Sequence, residues 1–354
     1  MKIIYLLFFI IGLVYASEEN NNSCIVQERS FIDRYHDMLD IKVYQIGRGI
    51  DNGIASIFNL FGDAEEDEQN LTQKQSHETV PLSACEEVDE FFLTRKLLEE
   101  REKSYVRVSY IRWYNSLEQD NDKIKVRARL DIPRTRKRYR LFIDDYRDES
   151  KKNIAQPDKQ SSTSIGLEAL DKKRFGIKSQ YRLGVRSIVN PFARARFSYE
   201  KQSGAWRLQP VQTFLYSLKH EFSETTDLYL DTPTSDLTFL RFVLNRGTQS
   251  RVPGMSYNGN AQWFWTPRKG SGLSFNMGFN GSTKYQNIID ATAPVLIKEE
   301  NRVFNYPFSV NWRENILKPW LFYEIAPGVN YHEAHGYRPN YNIYFKIDLF
   351  FGHV

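Results

Sequence analysis

Asn342-Ile343-Tyr344-Phe345-Lys346-Ile347-Asp348-Leu349-Phe350-Phe351-Gly352 decides the fold. In an extended strand, successive side chains point to opposite sides. Ile343, Phe345, Ile347, Leu349 and Phe351 therefore share one face, and Asn342, Tyr344, Lys346 and Asp348 share the other. A greasy, aromatic-rich face backed by a polar one is the pattern of a strand with acyl chains on one side and water or polar side chains on the other.

The same alternation recurs from about residue 104 onward. Ile124, Val126, Ala128 and Leu130 interleave with Lys125, Arg127, Arg129 and Asp131, and Leu273, Phe275, Met277 and Phe279 with Ser274, Asn276, Gly278 and Asn280. Candidate strands fall at 104–115, 123–132, 138–146, 161–169, 175–186, 191–200, 206–217, 223–231, 237–246, 255–266, 271–282, 302–312, 319–331 and 340–352. Strands with one charged and one apolar face also suit a soluble sandwich. So many consecutive strands with no regular helix between them fit closure better, because closure removes unpaired edges from lipid. The expectation is an all-β fold, a transmembrane antiparallel β-barrel of about 14 strands spanning 104–352. Twelve is the fallback, should 206–231 form one bent hairpin.

Link lengths agree. Short links are expected at Asp171–Arg174, Pro267–Gly270 and Glu314–Lys318, and the longest at Arg147–Gln160 and Lys284–Asn301. Short turns at one rim and long loops at the other are the usual asymmetry of such barrels. Pro210, Pro307 and Pro327 fall inside strands, where a missing N–H predicts bulges.

The N-terminal third reads differently. Met1-Lys2, an apolar run from Ile3 to Val14 and the small Ala16 before polar Ser17 form a secretory signal, 1–16. An uncleaved anchor is the alternative, but the run is short of the ~20 residues a spanning helix needs. Residues 17–103 are expected to be a periplasmic segment, partly helical. Phe31, Ile32, Tyr35, Leu39, Val43 and Ile46 recur at helical spacing, with Gly47 and Gly49 interrupting before a second apolar piece at 50–61. Such a face suits packing on the barrel rim better than a pore plug or a leaflet anchor, since it lacks the Lys/Arg of surface-binding helices. An acidic, polar linker covers 64–80, and a charged helical stretch, 86–103, leads into the first strand. Cys24 and Cys85 lie outside the strands of an exported chain, which favours a disulfide between them; free thiols are the alternative.

Composition fits an interfacial β-protein: aromatics are 14%, with 21 Tyr and 24 Phe, and Tyr and Trp favour membrane–water boundaries. A mean hydropathy of -0.54 does not oppose membrane residence, because inward polar residues offset the outward apolar ones. The formal charge of +4 is too mild to indicate nucleic acid.

If the apolar face meets lipid, the other face lines an interior. Its charged candidates are Arg107, Lys125, Arg127, Arg129, Arg140, Lys178, Arg182, Arg194, Arg196, Arg207, Arg241 and Lys346, with Glu324 and Asp348. Arg186, Asp131, Asp144, Glu200 and Asp227 share that face. An excess of basic groups between low-dielectric walls concentrates anions, which makes a channel for small, anionic solutes the leading expectation. The alternative is a closed barrel filled by paired side chains, with a structural or surface role in the envelope. No catalytic constellation emerges. Ser217 and His220 are near in sequence but fall at the outer end of a hairpin, and His332-Glu333-Ala334-His335 is shorter than the zincin spacing. No enzyme activity, metal or cofactor is expected.

The chain resembles a family of porin-like outer-membrane β-barrel proteins of Gram-negative bacteria. The likeness is carried by Lys318-Pro319-Trp320-Leu321-Phe322-Tyr323-Glu324, Pro327-Gly328-Val329, Tyr337-Arg338-Pro339 and Phe351-Gly352. Ile132-Pro133 with Lys137-Arg138-Tyr139-Arg140, and Tyr216-Ser217 leading into Thr226-Asp227-Leu228-Tyr229-Leu230-Asp231, add to it. The resemblance covers most of 86–352 and implies an outer-membrane barrel, with membrane lipid, the barrel-assembly machinery and small solutes as partners. Its motifs are structural and imply no particular substrate.

Overall fold

A computed structural model describes residues 38, 41, 91–92, 105–117, 120–131, 139–146, 162–174, 176–187, 189–219, 221–268, 270–290, 296–316, 318 and 320–351. The chain divides into two units, Met1–Leu39 and Asp40–Val354, and the barrel belongs to the second. The expected signal, the 31–46 apolar face, the acidic linker and both cysteines lie outside the described residues.

The strands run in chain order: β1 Tyr105–Asn115, β2 Asn121–Asp131, β3 Tyr139–Tyr146, β4 Ser162–Arg174, β5 Ile177–Arg186, β6 Asn190–Tyr199, β7 Lys201–Ser203 and β8 Trp206–Ser217. They continue as β9 Glu221–Ser235, β10 Thr238–Gln249, β11 Val252–Arg268, β12 Ser271–Asp290, β13 Leu296–Asn315, β14 Leu321–His332 and β15 Pro339–Phe351. Apart from β6 and β7, each pairs antiparallel with its neighbours in sequence, and β1 pairs with β15 from Val106↔Phe351 to Asn115↔Asn342, which closes the cylinder. Both β6 and β7 pair with β8, so they are one stave broken at Glu200. The result is a closed 14-stave antiparallel barrel. The fallback of twelve does not hold, because β8 and β9 are separate full-length staves joined from Arg207↔Asp231 to Ser217↔Glu221.

Side-chain exposure follows the alternation. Leu183, Met277, Ile124 and Ile343 point outward and are 66%, 55%, 57% and 49% exposed. Tyr114, Tyr216, Phe222, Tyr306 and Tyr341 crown this belt at one rim, and Tyr139, Tyr199, Trp206 and Trp265 at the rim that holds both ends of the barrel. An exposed apolar band closed around a whole molecule far exceeds the few hundred Å² tolerated in water. Bordered by aromatic girdles, it is the outer wall of a barrel made for lipid.

Among the described residues the belt carries a polar island on β8–β10. Gln212, Glu224, Thr226 and Arg246 face outward on adjacent staves between Phe214 and Leu228. They satisfy one another: Gln212 donates to Glu224 at 2.8 Å, Thr226 to Gln212 at 2.7 Å, and Arg246 to Thr226 and Glu224 at 3.1 Å each.

Three expectations are corrected. Lys284–Asn301 is not a loop, because β12 and β13 continue as a projecting hairpin through Asp290 and Leu296. Tyr285 stacks on Phe304 at 5.1 Å and Lys284 pairs with Glu299 at 3.6 Å, and such cross-strand contacts hold a ladder that alternation does not announce. Likewise Asp171–Arg174 belongs to β4, and Gly176, with φ 81°, makes the tight turn beyond it. Pro210, Pro307 and Pro327 pair in register with Leu228, Asn330 and Ile343. The register shifts fall near strand ends and in the β12–β13 hairpin, for instance at Thr248/Gln249 and Ser282/Tyr285.

Candidate functional site

The interior is built by the same parity. Arg107 lies opposite Arg127, Ser109 opposite Lys125, and Tyr105 opposite Arg129. Arg140 is opposite Glu168, which is opposite Arg182, which is opposite Arg194. Arg196 and Lys178 share that face across β5–β6, Arg207 and Arg241 flank Asp231, and Lys346 faces Glu324. By strand parity the fourteen charged positions expected from the sequence fall on this face, Lys178 among them exposed near the strand end, and Arg186, Asp144 and Asp227 join them. Glu200 does not, since it sits exposed at the break between β6 and β7. The side chain of Asp131 lies outside the described residues.

Three ion networks gather these groups. In the first, Asp348 accepts from Ser109 at 2.6 Å and from Arg107 and Arg313 at 2.8 Å each. Lys346 lies 2.5 Å from Glu324 and 3.3 Å from Asp348, and Arg313 lies 3.3 Å from Glu324. Three cations thus share two carboxylates. In the second, Glu168 takes Arg182 at 2.5 Å and Arg140 at 3.4 Å, while Asp144 takes Arg127 at 2.7 Å and Arg182 at 3.8 Å. In the third, Asp231 holds Arg241 at 2.7 Å and Arg207 at 3.1 Å. In the first network the cations outnumber the carboxylates by one among the described residues. Burial between low-dielectric walls strengthens every such interaction and the residual positive field.

Around β10–β15 the lining changes character. Asn245 donates to Asp227 at 2.6 Å, Asn258 to Asn245 at 2.9 Å, Gln262 to Asn276 at 3.0 Å, Asn330 to Asn305 at 3.3 Å and Asn342 to Asn330 at 3.2 Å. Away from the charged networks on these same staves, this part of the lining is, Asp227 apart, uncharged and dense in hydrogen-bonding groups.

At the rim holding the barrel's two ends lies a ring of inward aromatics. Tyr105, Phe322 and Phe350 form one buried cluster, and Phe239 and Phe264 another. Cations cap them: Arg107 lies 5.3 Å from the Phe350 ring, Arg313 4.4 Å from Phe322 and Arg241 5.1 Å from Phe239.

Sequence reading missed Arg313, Glu168 and Asp231, which anchor the three networks. Arg313 stands just beyond the boundary drawn at residue 312, and Asp231 at the last position of its expected strand. All three keep the parity of flanking inward residues, a signal that was present. Phe91 and Phe92 carry no such signal, because only tertiary contact places them beside the aromatic ring. Of the weaker candidates, Ser217 is buried on the inner face and His220 lies outside the described residues. His332–His335 form a short 3-10 turn in which Glu333 pairs with Arg302, and His332 Nδ1 accepts from the Ala334 amide at 3.0 Å. Among the described residues no group of three or more metal-ligating side chains gathers.

No family model and no curated protein matches the chain. Solved barrels do. The KdgM porin in complex with disordered oligogalacturonate shares 8% identity, covering 70% of this chain and 99% of its own, with a TM-score of 0.34. Pseudomonas aeruginosa OpdK with vanillate shares 8% over 71% and 98% of the two chains, with a TM-score of 0.40. Pseudomonas aeruginosa OccK2 (OpdF) shares 7% over 71% and 98%, also at 0.40.

Proposed function

We propose that this barrel sits in a Gram-negative outer membrane and conducts small solutes passively, with a preference for anions. The observation that carries the reading is the first network, in which, among the described residues, Arg107, Arg313 and Lys346 share Glu324 and Asp348. A fixed excess of positive charge inside low-dielectric walls raises the local concentration of anions and lowers that of cations. The Asn and Gln groups further along the same and neighbouring staves supply neutral donors and acceptors that replace part of a passing solute's hydration. The outward belt and its aromatic girdles support the membrane placement. Lys125, Arg127, Arg129, Arg194 and Arg196 are the residues proposed to extend the positive lining. Planar-bilayer recording of the purified full chain tests this: steps with a reversal potential on the anion side of zero are expected, and cation preference would overturn it.

A second reading has its own observation. Arg313, Asp348, Glu168 and Asp231 are all 0% exposed, a degree of burial that suits a filled interior. A barrel serving envelope structure or surface interaction would need no open path. A deletion strain with normal solute uptake but weakened envelope integrity would favour it.

A further inference from the structure

We infer that Phe91-Phe92 is a stopper carried by the chain for its own interior, seated in the aromatic ring at the rim where β1 begins and β15 ends. The inference takes the barrel to conduct, as proposed above.

The inward aromatics at this rim come from neighbouring staves: Tyr105 on β1, Phe350 on β15, Phe322 on β14, Phe264 on β11 and Phe239 on β10. Between β14 and β11 the row is interrupted, since β13 offers Arg313 and β12 offers Gly272, paired across the ladder. Phe91 and Phe92 fill that gap. The ring centroids run Phe350–Phe322 at 5.7 Å, Phe322–Phe91 at 6.3 Å, Phe91–Phe92 at 5.2 Å, Phe92–Phe264 at 5.2 Å and Phe264–Phe239 at 4.5 Å. Six rings make an unbroken arc, and its middle two are supplied from outside the barrel strands.

Two further features fit the dipeptide. A Cβ on Gly272 would stand 2.5 Å from Phe91 Cε1 and 2.6 Å from Phe92 Cζ, so only glycine leaves room. Arg313, already holding Asp348 and Glu324, donates its Nε to the Phe91 carbonyl at 3.1 Å. The group that contributes to the proposed anion field is thereby partly occupied by the stopper's backbone. Seating covers apolar rings and a guanidinium donor together, which sets both shape and charge at the mouth.

The test uses the full-length protein in bilayers and in membranes. Phe91→Ala with Phe92→Ala is expected to raise mean conductance at least threefold. Equal conductance in the wild type and this double variant would overturn the stopper while leaving the channel reading intact; silence in both would overturn the two together. A readout independent of current is a photocrosslinking p-benzoylphenylalanine in place of Phe92. Adducts mapped by mass spectrometry to the 264–274 region are expected, and their loss on Gly272→Leu, whose side chain claims the same space. Adducts elsewhere, or adducts unchanged by Gly272→Leu, would refute the seat.

Discussion

Lys346 and Glu324 face each other across β14 and β15 with Nζ and Oε2 2.5 Å apart, and Asp348, 3.3 Å from the same Nζ, ties the pair to Arg107 and Arg313. Removing one acid from this knot is expected to act in two ways, according to how many cations lean on it.

Asp348→Asn leaves Arg107, Arg313 and Lys346 with Glu324 alone. Withdrawing one partner from a buried ion cluster costs about 3–5 kcal/mol. The expected outcome is a lower urea midpoint for unfolding of the detergent-purified barrel, together with stronger anion preference. Glu324 holds two cations, Arg313 and Lys346, and both retain Asp348, so Glu324→Gln is expected to cost less while moving selectivity the same way.

Arg127 and Arg129 lie on the inner face of β2, Arg127 beside Asp144 at 2.7 Å and Arg129 near Glu168 and Phe142. Arg127→Glu with Arg129→Glu exchanges two positive charges for two negative ones. Reversal potentials in a salt gradient are expected to shift toward the cation side. An unchanged potential would exclude this arc from the conducting path.

Leu183 and Met277 meet acyl chains if the outer face is as described. An arginine there is expected to destabilise the barrel by about 2–4 kcal/mol near mid-membrane and less toward either girdle. Leu183→Arg and Met277→Arg should therefore lower yield and refolding in lipid vesicles. Neither is expected to change the selectivity of the molecules that do fold.

The outward island of Gln212, Glu224, Thr226 and Arg246 gives a double-mutant cycle. Glu224→Leu alone leaves Arg246 facing lipid with only Thr226 to bond, and is expected to destabilise by about 2 kcal/mol. Adding Arg246→Leu should recover most of that loss, since an apolar pair replaces an ion pair at little cost. Chemical denaturation of the three variants in vesicles measures the coupling.

Period-two alternation was enough to locate every stave, because a barrel wall imposes opposite solvents on its two faces and each residue must choose. Ile124 and Val126 against Lys125 and Arg127 state that choice plainly. It fails where the two solvents become alike. The β12–β13 hairpin continues past the girdle, beyond the wall that parts lipid from interior, and Lys284 to Asn301 carries no alternation to read. The interior was partly readable for the same reason. Parity gives the facing of Arg107 or Asp348, but partnership depends on register, so Glu168 and Asp231 emerge as shared anchors only when β3–β4–β5 and β8–β9–β10 are laid side by side. The contacts of Phe91-Phe92 with Gly272 join distant segments, and no local pattern encodes them.

Arg107 belongs to the first strand and Asp348 to the last, 241 residues apart, yet they share one bidentate contact over the seam. The cylinder cannot be stitched shut until its final dozen residues have arrived, a long-range requirement of the kind that slows folding. Tyr105, Phe322 and Phe350 become neighbours only at that moment. The aromatic cluster against which Phe91 packs is thus completed only when the two ends of the wall meet.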